Sequence, residues 1–177
     1  MASGSNWERD VCKFLSLWVQ GTEKPYLFWR GRGSGSVFTR DDLSGESFAG
    51  DIYHVREEGK FITDKFTIEC KAGYPQTSLD NHLKYNKKDW VREFWLQTIN
   101  DAHKTNKFPM LIYKKKGFST PWLGICENTF PYFKESVNDI RYIHVRYEDE
   151  IEDIYFFELY EFFNNINIDE IKSIKRT

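Results

Sequence analysis

Apolar residues fall at Trp7, Val11, Leu15 and Trp18, every three or four positions, a spacing that predicts an amphipathic helix over residues 6–19. Ser5-Asn6-Trp7-Glu8 has the spacing of a capping box, and Gly21 and Pro25 mark the end of the helix. From Arg30 the pattern lapses into Gly31, Arg32, Gly33, Ser34, Gly35 and Ser36, too glycine-rich for a regular element. β-Branched and aromatic residues then alternate roughly with polar ones over 48–56 and 61–72, which predicts two strands paired as a hairpin through Glu57-Glu58-Gly59. In the second strand Phe66, Ile68 and Cys70 share one face and Thr67, Glu69 and Lys71 the other, because strand side chains alternate with period two.

A helical pattern returns over residues 79–104, with Trp90, Phe94 and Ile99 among its apolar positions, and Pro109 is expected to close that stretch. Met110–Lys114, Trp122–Cys126 and Ile140–Tyr147 read as further strands, with a Lys-rich turn after the first and a short helix at 130–135 before the last. Residues 154–164 read as another helix, and the polar stretch 166–177 as a loosely held tail.

The length, 177 residues, suits one hydrophobic core and is short for two, so a single domain over 1–177 is expected. Aromatic residues make up 18% of the chain, enough to rule out disorder over most of it. Cys12, Cys70 and Cys126 are odd in number and far apart, which fits reduced thiols and a cytoplasmic setting. No basic stretch leads into an apolar run, so neither a signal peptide nor a membrane partner is expected. Net charge is −2, with no global pull toward nucleic acid, but the charge is uneven. Lys24 to Arg40 holds four basic residues and no acidic one, whereas Glu148 to Glu161 holds seven acidic residues and no basic one. The acidic block is expected to be a solvated surface.

Glu-x-Lys occurs three times, at Glu58-Gly59-Lys60, Glu69-Cys70-Lys71 and Glu170-Ile171-Lys172. Chance alone supplies roughly one such tripeptide in a chain this long. Only the middle copy ends a hydrophobic strand, and it follows Gly50-Asp51 at a distance that lets neighbouring strands set Asp51 beside Glu69. Two carboxylates on one face repel unless a cation lies between them, and oxygen-only ligation suits Mg2+, with Mn2+ as a substitute. Hydrolysis of a phosphodiester needs a deprotonated water, shielding of the phosphate and stabilisation of the charge that develops. Asp51 and Glu69 as metal ligands, the Cys70 carbonyl as a further ligand, and Lys71 on the same face as Glu69 meet those needs.

At Gly50-Asp51 and Ile68-Glu69-Cys70-Lys71 the chain resembles the PD-(D/E)xK nuclease superfamily, which includes restriction enzymes and Holliday-junction resolvases. Gly50 stands where the superfamily often has proline. The resemblance implies catalytic roles for Glu8 on the first helix and for Gln97 on the helix after the motif. It covers residues 5–126, which would be the core, leaving 127–165 as a C-terminal strand and helix elaboration. The fold it implies is α/β, a mixed central β-sheet flanked by helices with a restriction-endonuclease-like core. The expected activity is Mg2+-dependent endonucleolytic cleavage of DNA, structure-selective on junctions or branches, by an enzyme for which a homodimer is permitted. Two alternatives stay open: a sequence-specific restriction-type endonuclease, and a non-catalytic DNA-binding or assembly module on a nuclease scaffold.

Arg30, Arg32, Ser34, Ser36 and Arg40 offer guanidiniums and hydroxyls that grip phosphates without reading bases, and Lys114 opens a run of three lysines suited to the same task. Against Glu8 as a site residue stands the capping box, which alone would account for it. The four histidines, His54, His82, His103 and His144, have no metal-ligand spacing, and no phosphate-binding glycine loop with its lysine is present.

Overall fold

Helix α1 runs Gly4–Gln20, slightly longer at both ends than the apolar spacing predicts. Ser5 therefore lies inside its first turn and not at the capping position. Gly21, at φ +69°, closes the helix by donating its amide to the Leu17 carbonyl at 2.7 Å. The computed structural model describes residues 4–22, 26–31, 49–74, 89–147 and 151–175.

Two short strands, β1 (Phe28–Arg30) and β2 (Ile52–His54), pair antiparallel as a ribbon of their own. Five others, β3 (Phe66–Ala72), β4 (Phe108–Lys114), β5 (Trp122–Cys126), β6 (Tyr142–Val145) and β7 (Ile154–Glu158), make the central sheet in the order β3-β4-β5-β7-β6. β3 and β4 are parallel and the remaining pairs antiparallel, so the sheet is mixed, as expected. Helix α3 (Trp90–Lys104) covers one face, where Val91, Phe94, Trp95 and Ile99 meet Leu111, Tyr113 and Phe156. The opposite face packs Trp7, Val11 and Leu15 of α1 against Ile68, Ile112 and Leu123, together with Phe133 of α4 (Phe130–Phe133), Phe162 of α5 (Leu159–Asn165) and Ile171 of α6 (Ile168–Ser173). Cys12, Cys70 and Cys126 are all buried as free thiols, and burial raises the Cys12 and Cys126 thiols to about 12, far from thiolate chemistry at neutral pH.

Several local expectations give way to packing. Residues 48–56 and 61–72 do not form a hairpin. Glu57–Gly59 is a 3₁₀ turn and Lys60–Thr63 a one-turn helix, α2, because helical spacing puts Gly59 and Ile62 on one side, where both are buried. β3 instead takes a parallel partner across the connection that contains α3. Pro109 does not close α3 but stands second in β4, opposite Thr67. Phe108 donates to Lys65 on the β3 side, so the Pro109 nitrogen faces the other edge, ahead of the first β5 pair at Met110, where no ladder bond is lost.

Residues 154–158 form a strand where a helix was expected. Alternation decides it: Ile154 and Phe156 pack under α3, while Phe157 packs on the α1 side. Residues 166–175 of the stretch expected as a loose tail are held, since Asn167 and Glu170 close a full capping box on α6, and Ile171 and Ile174 are buried; 176 and 177 lie outside the described residues. Nor is the acidic block a plain solvated surface. Asp153 accepts from His144, Arg146 and the Tyr147 amide, and Glu158 caps α5. Residues 148–150 lie outside the described residues.

Candidate active site

The second half of β3 carries the chemistry. Every residue from Phe66 to Cys70 is buried, on both faces of the strand, and Glu69 is only 4% exposed. A carboxylate removed from water needs partners. Glu69 Oε1 receives two, the Lys71 ammonium at 2.5 Å and the Gln97 amide of α3 at 2.9 Å, which leaves Oε2 clear of both donors. The polar face expected on this strand is therefore present, but it lies under α3 and opens only at Lys71, which is partly exposed: Thr67, two residues back from Glu69, bonds Thr105 at 2.8 Å at the end of the same helix. Lys71 also lies 5.7 Å from the Phe94 ring centroid, so an aromatic face supports the ammonium.

Asp51 arrives at the free edge of β3, opposite β4. Its amide donates to the Ile68 carbonyl at 2.7 Å, and its Oδ2 accepts from the Cys70 amide at 2.8 Å. The N–H and C=O of one strand residue point to the same edge, so the Cys70 carbonyl also faces Asp51 and not β4. The Cys70 side chain goes the other way, into the α1 cluster. Gly50 explains the missing proline. Its φ of +95° lies outside proline's range, and a Cβ would stand 2.9 Å from the Ile68 carbonyl oxygen, so only glycine brings Asp51 this close to the strand. Gly31 completes the stitching by donating to the Asp51 carbonyl at 2.5 Å; a Cβ there would stand 2.8 Å from the Gly50 oxygen.

Electrostatics tie the group together. Burial raises the Glu69 carboxyl above its ordinary range, the Asp51 charge adds to that, and Lys71 opposes it. Asp51 is raised by burial too, against the opposing pull of the Cys70 amide and of Lys71. Burial works against the Lys71 ammonium, but its hydrogen bond to Glu69 and the charges of Glu69 and Asp51 outweigh it and raise its pKa. Glu8 of α1 is raised by burial and then by Asp51, with Arg30 holding it down from 3.7 Å. Among the described residues no three side chains of His, Cys, Asp or Glu are gathered as a ready metal cage. The expected ligand set of two carboxylates and a backbone carbonyl is of a different kind.

Asp51, Glu69, Lys71, Glu8 and Gln97 are thus drawn together from α1, the loop before β2, β3 and α3. Arg30 joins them only through Glu8. Lys114 is apart from the carboxylates; it ends β4 opposite Ala72, with its ammonium 5.4 Å above the Trp7 ring. Arg32, Ser34, Ser36 and Arg40 lie outside the described residues. The other Glu-x-Lys copies sit elsewhere, Glu58 on the 3₁₀ turn and Glu170 in the α6 cap. One acidic residue escaped the reading of the sequence. Asp101, one helical turn after Gln97, raises both Asp51 and Glu69, and its i+4 spacing from Gln97 was the signal that would have found it.

The family model described as "Phage putative PDDEXK endonuclease" matches residues 2–173, and the chain belongs to that family, within the PD-(D/E)xK nuclease superfamily. The match reaches beyond residues 5–126 to take in β6, β7, α5 and all of α6. No curated protein matches, and no solved structure does.

Proposed function

We propose that this member of the phage PDDEXK endonucleases cuts DNA with the help of a divalent cation held by Asp51, Glu69 and the Cys70 carbonyl. One observation carries the reading. The Asp51 carboxylate accepts from the amide of the residue that stands between Glu69 and Lys71, which ties it to the strand at the motif itself. The donor set supports a hard cation, because it is all oxygen and because burial raises both carboxyls, with the Asp51 charge raising Glu69 further and the Asp101 charge adding to both. Mg2+ is the natural occupant, with Mn2+ able to replace it, and such an ion supplies Lewis acidity and an acidified water.

The remaining work falls to the chain. Gln97 fixes Glu69 through Oε1 and so orients its other oxygen. Lys71, kept charged by Glu69 and Asp51, neutralises negative charge that builds on the phosphate as the bond breaks. Glu8 borders the same group from α1, and Arg30 beside it is a guanidinium for a neighbouring phosphate. The family resemblance implies 5′-phosphate and 3′-hydroxyl products and a preference for branched DNA.

Linear, nicked, flapped and four-way DNA, each incubated with Mg2+ or EDTA, test the proposal. Cleavage is expected only with the metal, and is expected to vanish in Asp51→Ala and Lys71→Ala. Cleavage that survives EDTA or Asp51→Ala overturns the reading. Cutting at one short duplex sequence with no preference for branches selects a restriction-type enzyme. DNA binding without cutting selects a non-catalytic module.

A further inference from the structure

We infer that the pocket between α1 and the turn after β4 holds one unpaired nucleotide of the DNA, with its phosphate on Lys114 and Lys116 and its base on Phe118. The identity of the ligand rests on the DNA-cutting reading above. The pocket, about 250 Å³, is lined by Trp7, Asp10, Gly73, Lys114, Lys116 and Phe118. It lies where β3 ends: Ala72 and Gly73, the residues directly after Lys71, form part of its wall, and the Gly73 amide is tied to the Lys114 carbonyl at 3.3 Å.

Its chemistry is cationic and aromatic at once. Three consecutive lysines face one carboxylate, Asp10. The floor is fixed, since Trp7 is buried, with its Nε1 directed at the Ile112 carbonyl at 3.5 Å and the Lys114 ammonium above its ring. The rim is different. Phe118 is 57% exposed at the end of a turn closed by its own amide on the Lys115 carbonyl at 3.2 Å, and the Lys115 ammonium lies 4.8 Å from its ring centroid. Ammonium groups interleaved with a ring are what hold single-stranded nucleic acid, the cations tracking phosphates while the ring stacks on a base of any identity. At about 250 Å³ the pocket is just under the usual range of small-ligand sites, so it takes a single base and not a base pair.

The test is fluorescence anisotropy in EDTA, with dye-labelled single-stranded, forked and blunt duplex DNA, on wild type, Phe118→Ala, Phe118→Trp, Lys114→Gln and Lys116→Gln. Phe118→Ala is expected to weaken the single strand and the fork about tenfold, as loss of one stacked base does, and to leave the blunt duplex unchanged. Phe118→Trp is expected to restore binding. Each lysine variant is expected to flatten the salt dependence on the single strand by about 0.7 in log–log slope. Phe118→Ala that binds all three DNAs like wild type, or loses all three alike, overturns the inference, as does a protein that binds none of them. Cleavage in Mg2+ is scored on the same samples and separates the two readings. Binding that needs Phe118 without any cutting leaves the pocket standing and removes the nuclease. Cutting that needs Asp51 but ignores Phe118 does the reverse.

Discussion

From Phe66 to Cys70 the two faces of β3 are both buried, and they are chemically opposite. Toward α1, Phe66, Ile68 and Cys70 sink into an unbroken apolar cluster. Toward α3, Thr67, Glu69 and Lys71 are covered by a helix that supplies Thr105, Gln97 and the Phe94 ring as partners. Burial on the first side stabilises the fold, because apolar surface leaves water. On the second side a charged pair is desolvated, at a cost that its mutual attraction seldom recovers in full. A chain that keeps such a pair next to a core gives up stability there, and this supports the proposal that places the chemistry on the α3 face.

The largest effect that sharpens this contrast is expected from the double variant Glu69→Gln/Lys71→Met. Cleavage should fall by about a thousandfold or more, as when a group that stabilises transition-state charge is lost. Its melting temperature in EDTA should match or exceed that of wild type, because the pair contributes no net stability. A large drop in melting temperature would show that the pair is structural, and the contrast between the faces would break.

Next in size, Ile68→Ala on the apolar face should cost about 2–5 kcal/mol in denaturant unfolding, with cleavage per folded molecule close to wild type. Lys71→Ala alone should be less stable than the double variant, since it leaves Glu69 buried without its cation. A double-mutant cycle on unfolding free energies checks this, and additivity within experimental error would contradict it.

A smaller effect is expected from Asp51→Asn in EDTA. The folded state holds the Asp51 carboxyl above its ordinary 3.8, mainly through burial. The stability tied to this group is therefore present below that value and is lost as pH rises through the raised folded pKa. The asparagine keeps an oxygen for the Cys70 amide and has no charge to bury, so its melting temperature should exceed that of wild type by about 2–4 °C at pH 7, the shift expected for about 1 kcal/mol, and the gap should close at low pH. Thermal scans at several pH values decide, and a gap that widens on acidification contradicts the assignment. Smallest of all, Gln97→Ala should slow cleavage about tenfold or less, because it orients Glu69 without touching DNA. A loss as deep as that of Asp51→Ala would give Gln97 a direct part in the chemistry.

Much of this was legible from residue order. The alternation along 66–71 separated the two faces of β3, and hydrophobic context singled out Glu69-Cys70-Lys71 from its two copies. The errors share a cause. Residues 57–63, apolar only at Phe61 and Ile62, and residues 154–158 are short segments whose local pattern suits helix or strand alike, and their state was decided by what lay against them: Phe28 and Leu27 around Gly59, β5 and β6 on either side of β7. Asp101 is marked in the chain only by its i+4 spacing from Gln97, and its relation to Asp51 exists only across space.

The order of residues by itself determined the helix of α1, strands β4 and β5 nearly to their ends, the superfamily, and which carboxylates and which lysine belong to one motif. These are properties of local period and spacing. Tertiary structure alone decided that Asp51 reaches β3 without a hairpin, that Gly50 is obligatory there, that α3 roofs the polar face, and that the C-terminal residues build the core. Each of those depends on groups distant in sequence competing for the same space, and no local pattern encodes the outcome of that competition.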